Sequence, residues 1–281
     1  MSLQQKFDVK DYLVSGKTFT LIYDDDLDLY RTIPVPPIDE LGKYYKSDHY
    51  ISHTDSQKTL TDRLYQMVKV YNLKSKIRLI NRHRTTKGRL LDIGAGTGDF
   101  LKAVHEDGWQ ITGVEPDEQA RTLAQNKLPE QVSIYQSLDA LQNQTFDVIT
   151  LWHVLEHVPD YNQYLETIKR SLTKDGLLVI AVPNFKSYDA QYYQEYWAAF
   201  DVPRHLWHFS QTAIQKILAN HQLTLLKTKP MKFDSFYVSM LSEQHKHSTK
   251  NLVKSFGLGL FSNLKAMGSG EYSSLIYLAK K

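Results

Sequence analysis

The sequence predicts an α/β fold built on a largely parallel sheet with helices on both faces. Three observations predict it. Near-continuous apolar strands recur between Leu90 and Val182, separated by amphipathic segments of helical period. The first of them, Leu90-Leu91-Asp92-Ile93, runs straight into Gly94-Ala95-Gly96-Thr97-Gly98, where alternating glycines remove the Cβ atoms that would hold a ligand off the backbone. The next strand closes on an acid, Glu115, and in a parallel βαβ unit such a strand end arrives beside the first loop.

Each element can be justified in order. Residues 19–23 and 27–32 are expected to pair as a hairpin around Asp24, Asp25 and Asp26, after which Pro34, Pro36 and Pro37 end regular structure. Over 54–84, Leu60, Leu64, Met67, Val68, Tyr71 and Leu73 recur at helical spacing and predict a long helix covering the open end of the sheet. Its later part carries Lys69, Lys74, Lys76, Arg78, Arg82, Arg84 and, just beyond, Lys87. Such a run is either a solvated face or a surface for an acidic partner. The sheet then alternates with helices: strands at 90–93, 110–115, 132–136, 146–152 and 176–182, helices at 99–107, 118–126 and 161–172. Ser210 suits an N-cap for a helix to about Asn220. Strands at 223–228 and 274–279 follow, and the long stretch between them implies an insertion, about 231–272, with helices at 233–247 and 252–267. That insertion is either a packed appendage or a lid.

Composition bounds the rest. With 281 residues and 42% hydrophobic content the chain can bury a substantial core, as a main domain with appendages. A formal net charge of +3 does not make nucleic acid the default partner. No apolar run approaches the roughly 20 residues that span a bilayer, and residues 1–10 lack a signal-peptide core, so a cytoplasmic location is expected. Cysteine is absent, which excludes disulfides, a thiolate nucleophile and Cys-ligated zinc or iron–sulfur centres.

The loop's spacing narrows its ligand. A dinucleotide fingerprint G-x-G-x-x-G counted from Gly94 needs its last glycine where Asp99 stands, and the Gly-Lys-Ser/Thr ending of a P-loop is missing. Asp92 to Gly98 resembles motif I of the class I S-adenosylmethionine-dependent methyltransferases. That resemblance implies a Rossmann-like seven-stranded mixed sheet and S-adenosyl-L-methionine as cofactor, leaving as S-adenosyl-L-homocysteine. It implies that Gly94, Ala95, Gly96 and Gly98 approach the methionine moiety while Asp92 holds the loop or, through water, the amino group. Glu115 would accept hydrogen bonds from the ribose hydroxyls, Pro116, Ser137 and Leu138 would flank the adenine, and Trp152 and His153 would border the sulfonium.

Chemistry is expected after the fourth strand of the sheet, outside the carboxyl ends at the switch in strand order. Amino-directed DNA methyltransferases carry Asn/Asp-Pro-Pro-Tyr there, whereas this chain has Trp152-His153-Val154-Leu155, so a nucleic-acid base amine is not the expected acceptor. The stretch is similar to that of small-molecule O-methyltransferases, including the quinone O-methyltransferases of ubiquinone synthesis. In those relatives a Glu-x-x-Glu-His segment binds a divalent metal; here His153 replaces the first Glu while Glu156 and His157 match, and offsets of three and four would put them on one helical face. No metal is assigned, because the same Leu-Glu-His-Val segment occurs in methyltransferases without one, where Glu156 and His157 fix the loop by hydrogen bonds.

Acceptor-side candidates also lie in the stretch from Trp197 to Ser210. Arg204 and His205 suit an acceptor with an acidic or hydroxyl group, and His157 or His205, titrating near neutrality, could take its proton. The alternative is a structural Arg204–Asp201 pair with His205 hydrogen-bonded in the loop. The N-terminal segment, 1–53, is similar to a bacterial methyltransferase group with a four-cysteine zinc ribbon followed by Tyr-Tyr and Tyr-x-x-His. Tyr44-Tyr45 and Tyr50-Ile51-Ser52-His53 fit while every cysteine is missing, implying a ribbon remnant without metal ahead of a helical cap at 54–86 and a methyltransferase domain at 87–281. Three functions are carried forward: methyl transfer to a hydroxyl of a small molecule, modification of RNA or protein, and cofactor binding without turnover.

Overall fold

The computed structural model describes residues 5–45, 60–249 and 251–281. Tyr50, Ile51, Ser52 and His53, and the start expected for the cap helix, lie outside them. Seven strands form the main sheet: β4 (Arg89–Ile93), β5 (Gln110–Val114), β6 (Ile134–Tyr135), β7 (Phe146–Trp152), β8 (Leu172–Pro183), β10 (Thr224–Pro230) and β11 (Ser274–Lys280). Their order is β10-β11-β8-β7-β4-β5-β6. β4 pairs in parallel with both β5 and β7, and β11 enters antiparallel between β8 and β10, so the mixed sheet is as expected. The chain leaves β4 toward β5 and β6 and returns to β7 on its other side. That reversal opens the ligand crevice at the carboxyl ends of β4 and β7.

The central stretches of β4, β7, β8 and β11 are mainly apolar because both faces are covered. On one face Leu91, Ile149, Leu151, Leu178 and Ile180 pack against Leu165 and Ile168 of α4 (Tyr161–Ser171) and Ile214 and Ile217 of α6 (Gln211–Asn220). The other face carries Leu90, Val148 and Val179 against α2 (Asp99–Glu106) and Ile80 of α1 (Leu60–His83). Helix starts follow their caps. Asp117 accepts from Ala120 N to open α3 (Glu118–Lys127), Asp160 from Asn162 N and Gln163 N to open α4, and Ser210 from Ala213 N to open α6. Each such cap is worth about 1 kcal/mol.

Three features differ from the sequence expectation. The third strand of the sheet shrinks to Ile134–Tyr135 at an edge. The basic run of α1 and the residues after it is split: Lys69 pairs with Asp99 at 2.8 Å, Arg84 with Asp147 at 2.8 Å and Lys87 with Asp107, while Lys74, Arg78 and Arg82 stay exposed. The N-terminal hairpin, β2 (Thr18–Asp24) with β3 (Leu29–Ile33), gains β1 (Lys6–Lys10) on one side and β9 (Trp207–Phe209) on the other, making a four-stranded antiparallel sheet. β9 comes from the stretch after β8, so the N-terminal segment is stitched to the mouth of the main sheet. The insertion forms α7 (Asp234–His247) and α8 (Leu252–Ser269), packed on each other and on α5 (Tyr188–Tyr193).

Candidate active site

The glycine loop lies at the carboxyl end of β4. Gly94 N and Ala95 N donate to the carbonyl of Val114, tying the loop to β5. Gly98 has φ +80° and a Cβ there would meet Ala124 of α3 at 2.9 Å, so it fixes close helix packing. Gly96, at φ +54°, is different: nothing lies within 4 Å of where its Cβ would stand. Its bare backbone therefore fronts open space at the crevice, the cradle a nucleoside cofactor requires.

Around that cradle the carboxylates are already in hydrogen-bonded positions. Glu115 accepts from Gly96 N at 2.7 Å and Asp117 N at 3.0 Å, and burial raises its pKa against the pull of those bonds. Asp92 is buried and accepts from Thr150 Oγ1 at 2.6 Å. Pro116 and Ser137 are exposed beside the crevice, whereas Leu138 is buried in the core and offers only an apolar wall. Trp152 ends β7 with its ring against Phe100, and Lys76 of α1 lies 4.1 Å from the ring centroid. Burial pulls Lys76 down toward neutrality and pushes Asp92 up, each partly offset by the other's charge. Neither Lys76 nor Asp234 was singled out for this site by sequence reasoning, because helical periodicity marks apolar stripes rather than the one polar residue turned inward.

After β7 the backbone does not form the expected α-helical face. His153 sits at φ +59° and Leu155–His157 is a single 3-10 turn. His153 turns to the insertion, its Nε2 3.2 Å from Asp234 Oδ2 and its Nδ1 3.3 Å from Glu156 Oε1. Burial opposes its charge, but these two carboxylates outweigh burial and push its pKa up to about 9. The trio that comes together is instead Glu156, His157 and His205, each offering one ligand-type atom within 4.8 Å of the others.

Their hydrogen bonds fix how they are presented. His205 Nδ1 lies 2.8 Å from the carbonyl of Ala199 and His157 Nδ1 3.0 Å from that of Arg204. A carbonyl only accepts, so both Nδ1 atoms carry a proton, and in the neutral ring the lone pair is on Nε2. The two rings meet edge-to-face at 4.6 Å. Burial and the neighbouring His205 depress His157 to about 4, whereas the carboxylate of Glu156 is held low by His153, His205 and His157 despite its burial. Glu156 Oε2 and Trp152 Nε1 are buried with no hydrogen-bond partner among the described residues. Unsatisfied buried polar atoms are costly, and two of them border this crevice.

Arg204 is placed differently from the acceptor-side role. It is 1% exposed, and its guanidinium donates to Asp201 at 2.7 and 2.9 Å, to Asp11 at 2.9 Å and to the carbonyl of Tyr44 at 3.1 Å. Asp201 in turn lies 3.9 Å from His205 Nε2. The N-terminal sheet supports the same loop. Thr32 Oγ1 donates to the carbonyl of His205 at 2.7 Å, and Tyr45 OH lies 3.0 Å from His157 Nδ1. Thr32 and Asp11 carried no sequence signal, being more than 170 positions from the residues they hold.

Comparisons with known proteins bear on the fold and the family. A family model described as a methyltransferase domain matches residues 65–228. An uncharacterized methyltransferase of Alkaliphilus oremlandii is 33% identical over 104 residues, 36% of this chain and 48% of that protein. A ubiquinone biosynthesis O-methyltransferase of Actinobacillus pleuropneumoniae is 36% identical over 107 residues, 34% of this chain and 46% of that one. The chain thus spans about half the length of the curated relatives it matches. Among solved structures, a Burkholderia thailandensis 1,6-didemethyltoxoflavin-N1-methyltransferase with bound S-adenosylhomocysteine superposes with a TM-score of 0.55 at 18% identity, covering 97% of this chain and 99% of that one. With the methyltransferase-domain model covering more than half of its length, and the strand order and glycine loop in place, this chain belongs to the class I S-adenosylmethionine-dependent methyltransferase family.

Proposed function

We propose that this protein is a cytoplasmic S-adenosylmethionine-dependent enzyme that methylates a hydroxyl of a small molecule. The single observation carrying the hydroxyl reading is the pair of imidazoles, each anchored through Nδ1 on a carbonyl, beside a buried carboxylate, where the loops after β7 and β8 meet. A sulfonium methyl is already activated, so the protein has to hold donor and acceptor in line and dry, worth about 7 to 11 kcal/mol of barrier. The acceptor oxygen attacks the methyl carbon as the carbon–sulfur bond breaks. The hydroxyl proton passes to an imidazole and S-adenosylhomocysteine leaves.

Their surroundings decide between the two histidines. At about 4, His157 is too weak a base to take a hydroxyl proton at neutral pH. His205 has Asp201 3.9 Å from Nε2 to stabilise the imidazolium that forms, and is assigned as the base. Arg204 then acts through Asp201 and is a positioning residue. The glycine loop and Glu115 hold the cofactor, with Trp152 and His153 at the methyl end.

A second reading is favoured by the orphaned Glu156 Oε2: a divalent cation held by Glu156, His157 and His205, two imidazoles and a carboxylate with their outer nitrogens anchored on carbonyls. What it would supply is Lewis-acid activation of the acceptor oxygen. One experiment separates the readings. Isotopically labelled S-adenosylmethionine is incubated with metabolite extracts, using wild type and His205→Ala, before and after chelation. Under the first reading the substitution lowers transfer by about 10²- to 10⁴-fold, leaves S-adenosylhomocysteine affinity unchanged, and chelation does nothing. Loss on chelation with recovery on adding metal selects the second. No transfer to any small molecule by wild type overturns both in favour of macromolecular modification or binding without turnover. Glu115→Ala is the control for the cofactor, expected to weaken S-adenosylhomocysteine binding by about 1 to 3 kcal/mol in calorimetry.

A further inference from the structure

Helix α8 is amphipathic in the opposite sense from a helix docked on a core. Its buried positions are Ser255, Gly259, Ser262 and Ala266, small residues set against α7 and α5, as the Ser262 hydroxyl bonded to Asp189 at 2.6 Å illustrates. Its outward positions are Val253, Phe256, Leu260, Leu264 and Met267, spaced by three or four and exposed from 46% to 86%. They form one apolar stripe along roughly 21 Å of helix. The stripe does not stop at α8. Phe256 stacks on Phe236 of α7 at 4.9 Å, and Phe233 at the start of α7 meets Tyr71 of the cap helix α1 at 5.4 Å. An exposed apolar surface of this extent marks a docking site.

Charge identifies the occupant. From Gln244 to Gly270 the sequence contains no acidic residue but has Lys246, Lys250, Lys254 and Lys265, with His245 and His247. The acids that flank this stretch are turned inward: Glu243 is buried and pairs with Lys254 at 2.9 Å, and Glu271 accepts from Asn184 at 2.7 Å and Gln211 at 2.9 Å. A second copy seated face to face would set like charges against each other, because Glu243 is already committed to Lys254 and Glu271 to Asn184 and Gln211 within their own chain. An apolar stripe in a stretch of sequence that is basic and free of acids matches the interface of an anionic bilayer, where the apolar face sinks to the acyl boundary and cationic side chains stay with the headgroups. Among the described residues no helix is long and apolar enough to cross a membrane, so the contact lies in the plane of the surface.

We propose that the outward face of α8, continued by Phe233 and Tyr71, docks on an anionic lipid surface. α7 begins at Asp234, which touches His153 in the crevice, so the docked face borders the mouth of the candidate active site. The corollary, that the acceptor enters from the bilayer, rests on the methyltransferase reading; vesicle binding tests the surface without it.

The test is cosedimentation of the full chain with vesicles of phosphatidylcholine alone or mixed with phosphatidylglycerol. Binding to the mixed vesicles is expected to exceed binding to the neutral ones by about tenfold or more at low salt and to fall as salt rises. Val253→Asp with Leu264→Asp, both at exposed positions and checked by an unchanged thermal melt, should reduce binding by a further factor of about ten. Lys265→Glu should cut the preference for anionic vesicles. Equal binding to both compositions, no binding at low salt, or variants that bind like wild type would overturn the proposal. So would a concentration-dependent dimer in light scattering that the same two aspartates dissolve, which would make a second copy the occupant.

Discussion

At the scale of single residues, Arg204 carries the sharpest consequence. It is a buried cation between two carboxylates, one three positions away and one in the loop after β1. Burial opposes its charge, but Asp201 and Asp11 outweigh burial and hold its proton firmly, and both carboxylates are in turn held below the ordinary carboxylate range. Arg204→Met leaves both acids buried without their cation. The expected loss is about 3 to 5 kcal/mol, read as a fall in the denaturant midpoint. Arg204→Lys should recover only part of it, because an ammonium cannot span Asp201, Asp11 and the Tyr44 carbonyl at once. Unchanged stability with a raised KM would instead return Arg204 to the acceptor. The Asp201 spacing was legible in the sequence as a structural alternative. Asp11 was not, since nothing local to either residue signals a contact across the length of the chain.

At the scale of elements, the cap helix α1 holds a residue whose role depends on what enters the crevice. Lys76 lies over the Trp152 ring, near Asp92 and Asp234. In the proposed cofactor pose S-adenosylmethionine would bring a cationic sulfonium to the end of β7, whereas S-adenosylhomocysteine would be neutral there. A fixed ammonium at this place should therefore penalise the first more than the second. Lys76→Met is expected to tighten S-adenosylmethionine severalfold while changing S-adenosylhomocysteine little, with calorimetry of both ligands as the measurement. Equal shifts would place the sulfonium away from Trp152. The helix itself was readable from the recurrence of Leu73 and its neighbours, and the glycine loop, Glu115 and the insertion were readable for the same reason: their signals are local. β9 and the Glu156–His157–His205 trio were not, because three residues of strand make no periodic pattern and a trio assembled from two loops exists only once the sheet brings them together.

At the scale of the whole molecule, two histidines of the same turn set a shared pH optimum for stability. His157 is depressed to about 4 by burial and by His205, with Glu156 and Asp201 opposing. The folded state holds it neutral while the unfolded chain, with an ordinary value near 6.5, takes a proton more readily. Stability is therefore complete above about 6.5 and is lost as pH falls toward 4. His153 runs the other way. Raised to about 9 by Asp234 and Glu156 against its burial, it contributes fully below about 6.5, and that contribution drains away as pH climbs through 9. The two losses meet near pH 6.5, so the melting temperature should peak there and fall on both sides. His157→Gln should flatten the acid limb and His153→Gln the alkaline limb, each leaving the other in place. Because His153 is the only one of the two that touches the insertion, through Asp234, the alkaline limb also reports the α7 contact. Asp234→Asn should remove that limb as His153→Gln does, and an alkaline limb that survives Asp234→Asn would locate the charge of His153 on Glu156 alone.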